Sequence, residues 1–314
     1  MLRIGTRGSK LALWQSQWVA RQLEALGERC ETVIIRTRGD KITDVALAKI
    51  GGKGLFTKEI EEALLAGQVD LAVHSLKDLP TELPEGLVLG AVPTREDPRD
   101  AIVGARLDDL PAGARVGTSS LRRTAQLRRL RPDLRIEPIR GNLDTRLRKL
   151  EAGEFDAIVV AVAGLKRMGW QERIAEIFEP RTLCPAAGQG ALAIECRAAD
   201  GRVRALCERL HDPAAGWATA AERAFLTHVG GGCQVPLGVH ASVEGTRLRL
   251  YAIVLSPEGD QAVTGELEGQ AEQAEALGTR LAQQLLESGA RTILQQVYGA
   301  KSESLSDRRD LTGA

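Results

Sequence analysis

Val116 to Leu150, VGTSSLRRTAQLRRLRPDLRIEPIRGNLDTRLRKL, is the stretch that decides the fold. Its cations are Arg122, Arg123, Arg128, Arg129, Arg131, Arg135, Arg140, Arg146, Arg148 and Lys149, against only Asp133, Glu137 and Asp144. The whole chain is formally neutral, so this is a local concentration of charge. Gly117-Thr118-Ser119-Ser120 stands directly before a helical pattern. Ser and Thr are ordinary N-caps, and the free N–H groups of a helix N-terminus attract anions. A capped helix with a solvated basic face would explain the charge alone. It does not explain the repetition: Arg140-Gly141-Asn142 repeats the strand–turn–helix layout, and Arg146 falls in the first turns of the next helix. Two neighbouring strand ends then present guanidinium forks to one crevice. Arg binds carboxylate or phosphate bidentately, so the stretch predicts a ligand with several negative groups.

Working outward, strands near Ala101–Val103, Arg115–Gly117, Arg135–Ile139 and Asp156–Ala161 alternate with helices, which implies a mainly parallel sheet. The same pattern opens the chain. Strand Leu2–Gly5 ends in Thr6-Arg7-Gly8-Ser9 and a helix follows, with Ser9 as its N-cap, so Arg7 and Ser9 copy the anion-site layout. Val69–Val73 is a buried strand ending in His74-Ser75-Leu76-Lys77-Asp78. Ligands in open α/β sheets bind beyond the carboxyl ends of strands, which places Ser75, Lys77 and Asp78 well. Asp78 is an acid among cations; it either pairs with one of them, or it steadies positive charge on a substrate or moves a proton. Lys49-Ile50-Gly51-Gly52-Lys53-Gly54-Leu55-Phe56 is a basic loop without phosphate-loop spacing: a surface loop, or a lid over an anionic ligand. Arg167 opens a further helix after a strand.

Pro93–Asp100 and Pro185–Ala191 read as crossings between two lobes, the second leading to a strand, Leu192–Cys196, that returns to the first lobe. From about residue 213 the pattern becomes a small antiparallel sheet with closing helices. The expected fold is therefore α/β: two lobes in the layout of periplasmic-type binding proteins, residues 1–93 with 191–208 and residues 96–184, plus a third domain over 213–314 with a three-stranded antiparallel sheet.

Aromatics make up 3% of the chain, which argues against single-stranded nucleic-acid platforms. The N-terminus has no secretory h-region and no apolar run reaches membrane-spanning length. Cys30, Cys184, Cys196, Cys207 and Cys233 have no CxxC spacing, and the histidines are scattered, so neither disulfides nor a metal site is expected. Three glycines before Cys233 and Pro236 after it would suit a tethered group, although a lone loop cysteine is usually only that. These features predict a cytoplasmic protein.

With these pieces together the chain resembles the porphobilinogen deaminase (hydroxymethylbilane synthase) family. The matching motifs are TRGSKLALWQ, GGKGLF, AVHSLKDLP, REDPRDA, VGTSSLRR, IRGNLDTRL, AVAGLKR, GQGALAIECR and GGGCQVPLG. Lys10 departs from the family's usual Pro or Gln. The resemblance implies a transferase of haem biosynthesis, a monomer that works without nucleic acid or membrane. It implies that Cys233 carries a dipyrromethane through a thioether, and that four porphobilinogens are joined on it, each losing ammonia, before 1-hydroxymethylbilane is released. It implies that Asp78 is catalytic and stabilises a cationic azafulvene. Ser75, Lys77, Thr118, Ser119, Ser120, Arg122, Arg123, Arg140 and Gly141 would hold the cofactor, and Arg7, Ser9, Arg146 and Arg167 the substrate. Lys49, Lys53 and Phe56 would belong to a mobile loop. Rival readings are a non-catalytic two-lobed polyanion-binding protein and a nucleic-acid binder; neither gives Cys233 a task.

Overall fold

The computed structural model describes residues 1–41, 54–230 and 235–297. Two five-stranded sheets and one three-stranded sheet organise the chain. The first sheet contains β1 (Leu2–Thr6), β2 (Cys30–Ile34), β3 (Leu71–Ser75), β4 (Leu87–Ala91) and β10 (Leu192–Arg197), in the order β2-β1-β3-β10-β4. The second contains β5 (Asp100–Val103), β6 (Arg115–Gly117), β7 (Arg135–Glu137), β8 (Ala157–Ala161) and β9 (Ile174–Ile177), in the order β7-β6-β8-β5-β9. In each sheet one strand runs against the rest: β10 is antiparallel to β3 and β4, and β5 to β8 and β9. Each reversed strand is the one delivered by a crossing from the other lobe.

Helix α1 (Lys10–Ala25) forms because Gln15, Val19 and Leu23 recur on one buried face and Ser9 caps its start. It packs on one side of the first sheet with Leu2, Leu71 and Val73. Helix α2 (Lys58–Leu65) covers the other side with Ile60 and Leu64 against Val69 and Ala72. Each fully buried Leu, Ile or Val stabilises by about 1.5–3 kcal/mol. In the second lobe, α3 (Leu121–Leu130) follows β6, α4 (Leu143–Glu151) follows β7, and α5 (Val162–Arg167) follows β8. Strand β9 was not expected from the sequence. Its four residues are all half-buried at a sheet edge, which leaves no apolar run or clean alternation to read.

Helix α6 (Gly201–Glu208) returns to the first lobe. The third domain packs α7 (Pro213–Val229) and α8 (Ala274–Leu285) on the antiparallel sheet β11 (Leu237–Glu244), β12 (Arg247–Leu255) and β13 (Ala262–Gln270). It meets the second lobe through an apolar cluster of Ala125, Cys184, Ile253 and Leu255. The turn before β13 needs glycine at 259: its φ is +79, and a Cβ there would lie 2.3 Å from the Ala125 carbonyl. Glu222, fully buried on α7, ties the two crossings to this domain. It accepts from both Arg95 guanidinium nitrogens at 2.8 and 3.0 Å, from the Gly188 amide at 2.7 Å and from the Ala241 amide at 2.8 Å.

Candidate active site

The carboxyl end of β3 carries Ser75, Lys77 and Asp78 into the cleft. The Ser75 hydroxyl is held by Gln15 at 3.0 Å. The half-buried Lys77 ammonium has no hydrogen-bond or ion-pair partner among the described residues. Burial lowers its pKa to about 8 against the opposing pull of Asp78, with Arg123, Asp100 and Arg122 the other charges it feels. Asp78 is exposed, and its carboxylate likewise accepts no hydrogen bond from a described residue.

The carboxyl end of β6 gives the second half. Thr118 is buried, and its hydroxyl accepts from the Ser120 amide at 3.2 Å. The Ser119 hydroxyl donates to the Ile139 carbonyl at 2.7 Å. Ser120 caps α3, its Oγ accepting from the Arg123 amide at 3.4 Å. Gly141, at φ +103 after β7, adopts a backbone that a Cβ would block by meeting Thr145 at 2.5 Å. Its carbonyl accepts from Arg146 Nε at 2.9 Å. Burial lowers the Arg146 pKa to about 10, with Arg123 and Arg140 acting in the same direction and Asp78 against. Lys77, Asp78, Arg123, Arg140 and Arg146 thus form one electrostatic neighbourhood.

Arg122 and Arg123 differ from the open forks that the sequence predicts. Both are buried and paired with Asp100, Arg122 Nη1 at 2.6 Å and Arg123 Nη2 at 2.7 Å. Burial would raise the Asp100 carboxyl, but the two guanidiniums outweigh it and hold it well below the usual carboxylate range. Arg167, on α5, donates to the Gly190 carbonyl at 2.6 Å and has no carboxylate partner among the described residues; burial lowers its pKa to about 10.

Arg7 and Ser9 lie in the turn between the carboxyl end of β1 and the start of α1. Arg7 pairs with Asp40 at 2.5 Å and lies over the Phe56 ring, 4.1 Å from its centre. The Ser9 hydroxyl accepts from the Ala12 amide at 3.3 Å. Lys10 reaches across to Asp144 of the second lobe at 3.8 Å. Lys49, Lys53 and Cys233 lie outside the described residues.

Sequence reasoning missed Gln15, Asp100 and Gln189. Asp100 had a readable signal: an acid opening an apolar strand must find a buried partner. Gln15 and Gln189 had only their position on buried faces. Among the described residues no group of three or more His, Cys, Asp or Glu side chains could hold a metal ion, and no helix is long and apolar enough to cross a membrane.

Comparison with known proteins places these features in a family. A sequence profile described as "Porphobilinogen deaminase, dipyromethane cofactor binding domain" matches residues 2–205, and one described as "Porphobilinogen deaminase, C-terminal domain" matches residues 217–287. A porphobilinogen deaminase of Syntrophobacter fumaroxidans is 55% identical over 305 residues, covering 96% of this chain and 99% of the relative. One of Geotalea uraniireducens is 51% identical over 301 residues, covering 95% of each. A solved periplasmic substrate-binding protein from Coxiella burnetii aligns with a TM-score of 0.43 at 16% identity, over 68% of this chain and 94% of its own. That likeness is too loose to say more.

Proposed function

Since the chain belongs to the porphobilinogen deaminase family, we propose that its cleft residues divide the family's chemistry as follows. The enzyme is a transferase of tetrapyrrole and haem synthesis. It joins four porphobilinogens head to tail with loss of ammonia and releases 1-hydroxymethylbilane. The observation that carries the reading is a set of buried or half-buried cations, Lys77, Arg146 and Arg167, with no carboxylate at ion-pair distance among the described residues. Buried charges need partners, and a ligand with several carboxylates supplies them. The donor set therefore fits a dipyrromethane.

Bound through Cys233, that cofactor supplies the pyrrole carbon to which the first substrate is joined. Lys77, Arg140, the Thr118–Ser120 turn with its helix N-terminus, and the spare donors of Arg122 and Arg123 hold its carboxylates, with Ser75 and Gly141 shaping the contact. Arg7, Ser9, Arg146 and Arg167 orient the incoming substrate through its own two carboxylates. Each joining step first breaks the bond to the departing amine, which leaves as ammonia and makes the substrate pyrrole cationic; the new carbon–carbon bond then forms as the attacked pyrrole carbon gives up its proton. The Asp78 carboxylate faces that charge and stabilises it. The protein acts as a cytoplasmic monomer.

Intact mass tests this reading. Protein made in a cell that supplies porphobilinogen should exceed its sequence mass by one dipyrromethane. The addition should survive reducing agent and map to the peptide containing GGGCQVP, and Cys233→Ala should lack both the addition and activity. Fully active protein at the bare sequence mass would overturn the proposal.

A further inference from the structure

The Asp100 site is fully enclosed. Asp100 Oδ2 accepts from Arg122 Nη1 at 2.6 Å, and Oδ1 accepts from Arg123 Nη2 at 2.7 Å and Nε at 3.1 Å. Arg122 also donates to the Cys184 carbonyl at 2.5 Å and to Gln189 Oε1 at 3.4 Å, and Arg123 to the Val159 carbonyl at 2.9 Å. A guanidinium has five N–H donors; three on each arginine meet these acceptors, leaving two on each. Gln189 closes the site by donating to Asp100 Oδ1 at 2.8 Å and to the Pro98 carbonyl at 2.7 Å. Pro98 is on the outgoing crossing and Gln189 on the returning one, so both crossings converge on this carboxylate.

We infer that Asp100 is an internal counter-anion that stands in for a ligand carboxylate, keeping Arg122 and Arg123 paired and aimed before any ligand arrives. The inference rests on reading the cleft as a polyanion site. Two adjacent guanidiniums buried without a counter-charge repel each other and forfeit their solvation. Asp100 removes that cost in the unloaded protein. It also fixes the planes of both forks, while two donors on each arginine stay uncommitted for a ligand carboxylate. With Asp100 the pair carries one net positive charge, which a single ligand carboxylate balances. Asp100 is thus a positioning residue, acting through the arginines.

The test uses the full-length chain with Cys233→Ala, so that no covalent anion is present, with and without Asp100→Asn. Melting is followed in chloride and in citrate at equal ionic strength. The Asn variant should melt roughly 5–10 °C lower in chloride and recover at least half of that loss in citrate, while the Asp100 protein shifts far less. An Asn variant that melts like its parent, or that melts low in both salts alike, overturns the inference. If Asp100→Asn does not fold, Arg122→Met is added to remove the second unpaired charge. The double variant should fold again and ignore citrate; if it stays unfolded the inference falls. The mass of wild-type protein tests the family chemistry separately, so the two can fail independently.

Discussion

The two strand ends that face the cleft carry similar charge and use it differently. At the end of β3, the Lys77 ammonium and the Asp78 carboxylate have no hydrogen-bonding partners among the described residues. At the end of β6, Arg122 and Arg123 are buried against Asp100. The same topological device stands behind both ends. The reversed strand that each lobe receives from the other brings an acid to a buried base: β5 brings Asp100 to the arginines, and β10 brings Glu195 to His74 at 3.1 Å. In the second lobe that acid lies among the cations of the cleft. In the first it is fully buried away from Lys77, so Lys77 keeps its charge for a ligand. A neutral chain can therefore offer one pre-paired anchoring surface and one surface whose charges are available to the reaction.

The sharpest way to break this comparison is to delete a cation from each class. Arg123→Met takes two charge-assisted hydrogen bonds from the buried Asp100 Oδ1, while Arg122 still balances its charge, and should cost about 1.5–3 kcal/mol of stability. Arg146→Met removes a half-buried guanidinium whose one hydrogen-bond partner among the described residues is the Gly141 carbonyl, and should change stability by less than about 1 kcal/mol. Its effect should appear as weaker substrate binding. Denaturant melts of the two variants decide the matter, and equal losses would erase the distinction. Asp78→Asn should leave folding and cofactor mass intact while lowering turnover ~10²–10³-fold, because in the proposed mechanism it removes the charge that would face the cationic pyrrole. Near-normal turnover would remove Asp78 from the chemistry.

Much of this arrangement was legible in the sequence. Strand-to-helix junctions rich in Arg, Ser and Gly marked both strand ends, because local turn chemistry and helix capping leave short-range signatures. The crossings showed as Pro-rich segments. The pairing within the second site was not legible. Arg122, Arg123 and Asp100 are joined only when β5 pairs with β8, and no local pattern records that contact. For the same reason the sequence made Arg122 and Arg123 look like open forks at the crevice, although both are buried. Lys77 passed as one cation among many; its lack of a partner is a property of packing.

The burial of Lys77 predicts opposite pH responses of stability and of anion binding. Lys77 titrates near 8 when folded and near 10.5 when unfolded. Between those values the unfolded chain binds more protons, so stability should rise as pH goes from 8 to 10.5. Over the same range the ammonium is lost, so carboxylate binding should weaken, approaching tenfold per pH unit for this group. Calorimetric titration of citrate into Cys233→Ala protein at pH 7 and pH 9 should show the loss. Lys77→Arg should largely abolish it, since a guanidinium keeps its proton. An unchanged affinity at the two pH values would mean that Lys77 does not contact the anion.

The smallest expected effect concerns the serines at the two helix starts. Ser9 caps α1 and Ser120 caps α3, each Oγ accepting an amide of the first turn, at 3.3 and 3.4 Å. An Oγ used in this way has its acceptor role filled, although its own proton is still free to meet a ligand carboxylate. Replacing either serine by alanine should cost about 1 kcal/mol of stability, the usual worth of an N-cap. The effect on anion binding should separate the helices only slightly. At α3 the backbone amides of the first turn would remain to meet an anion, and the Arg122 and Arg123 guanidiniums are held by Asp100 rather than by Ser120. At α1 the neighbouring Arg7 is already paired with Asp40. Citrate affinity should therefore fall by less than about threefold in either variant, below the ~1 kcal/mol of an ordinary hydrogen bond. A drop of tenfold or more in Ser120→Ala alone would mean that its hydroxyl, and not the helix N-terminus, is the main anion contact at the β6 strand end.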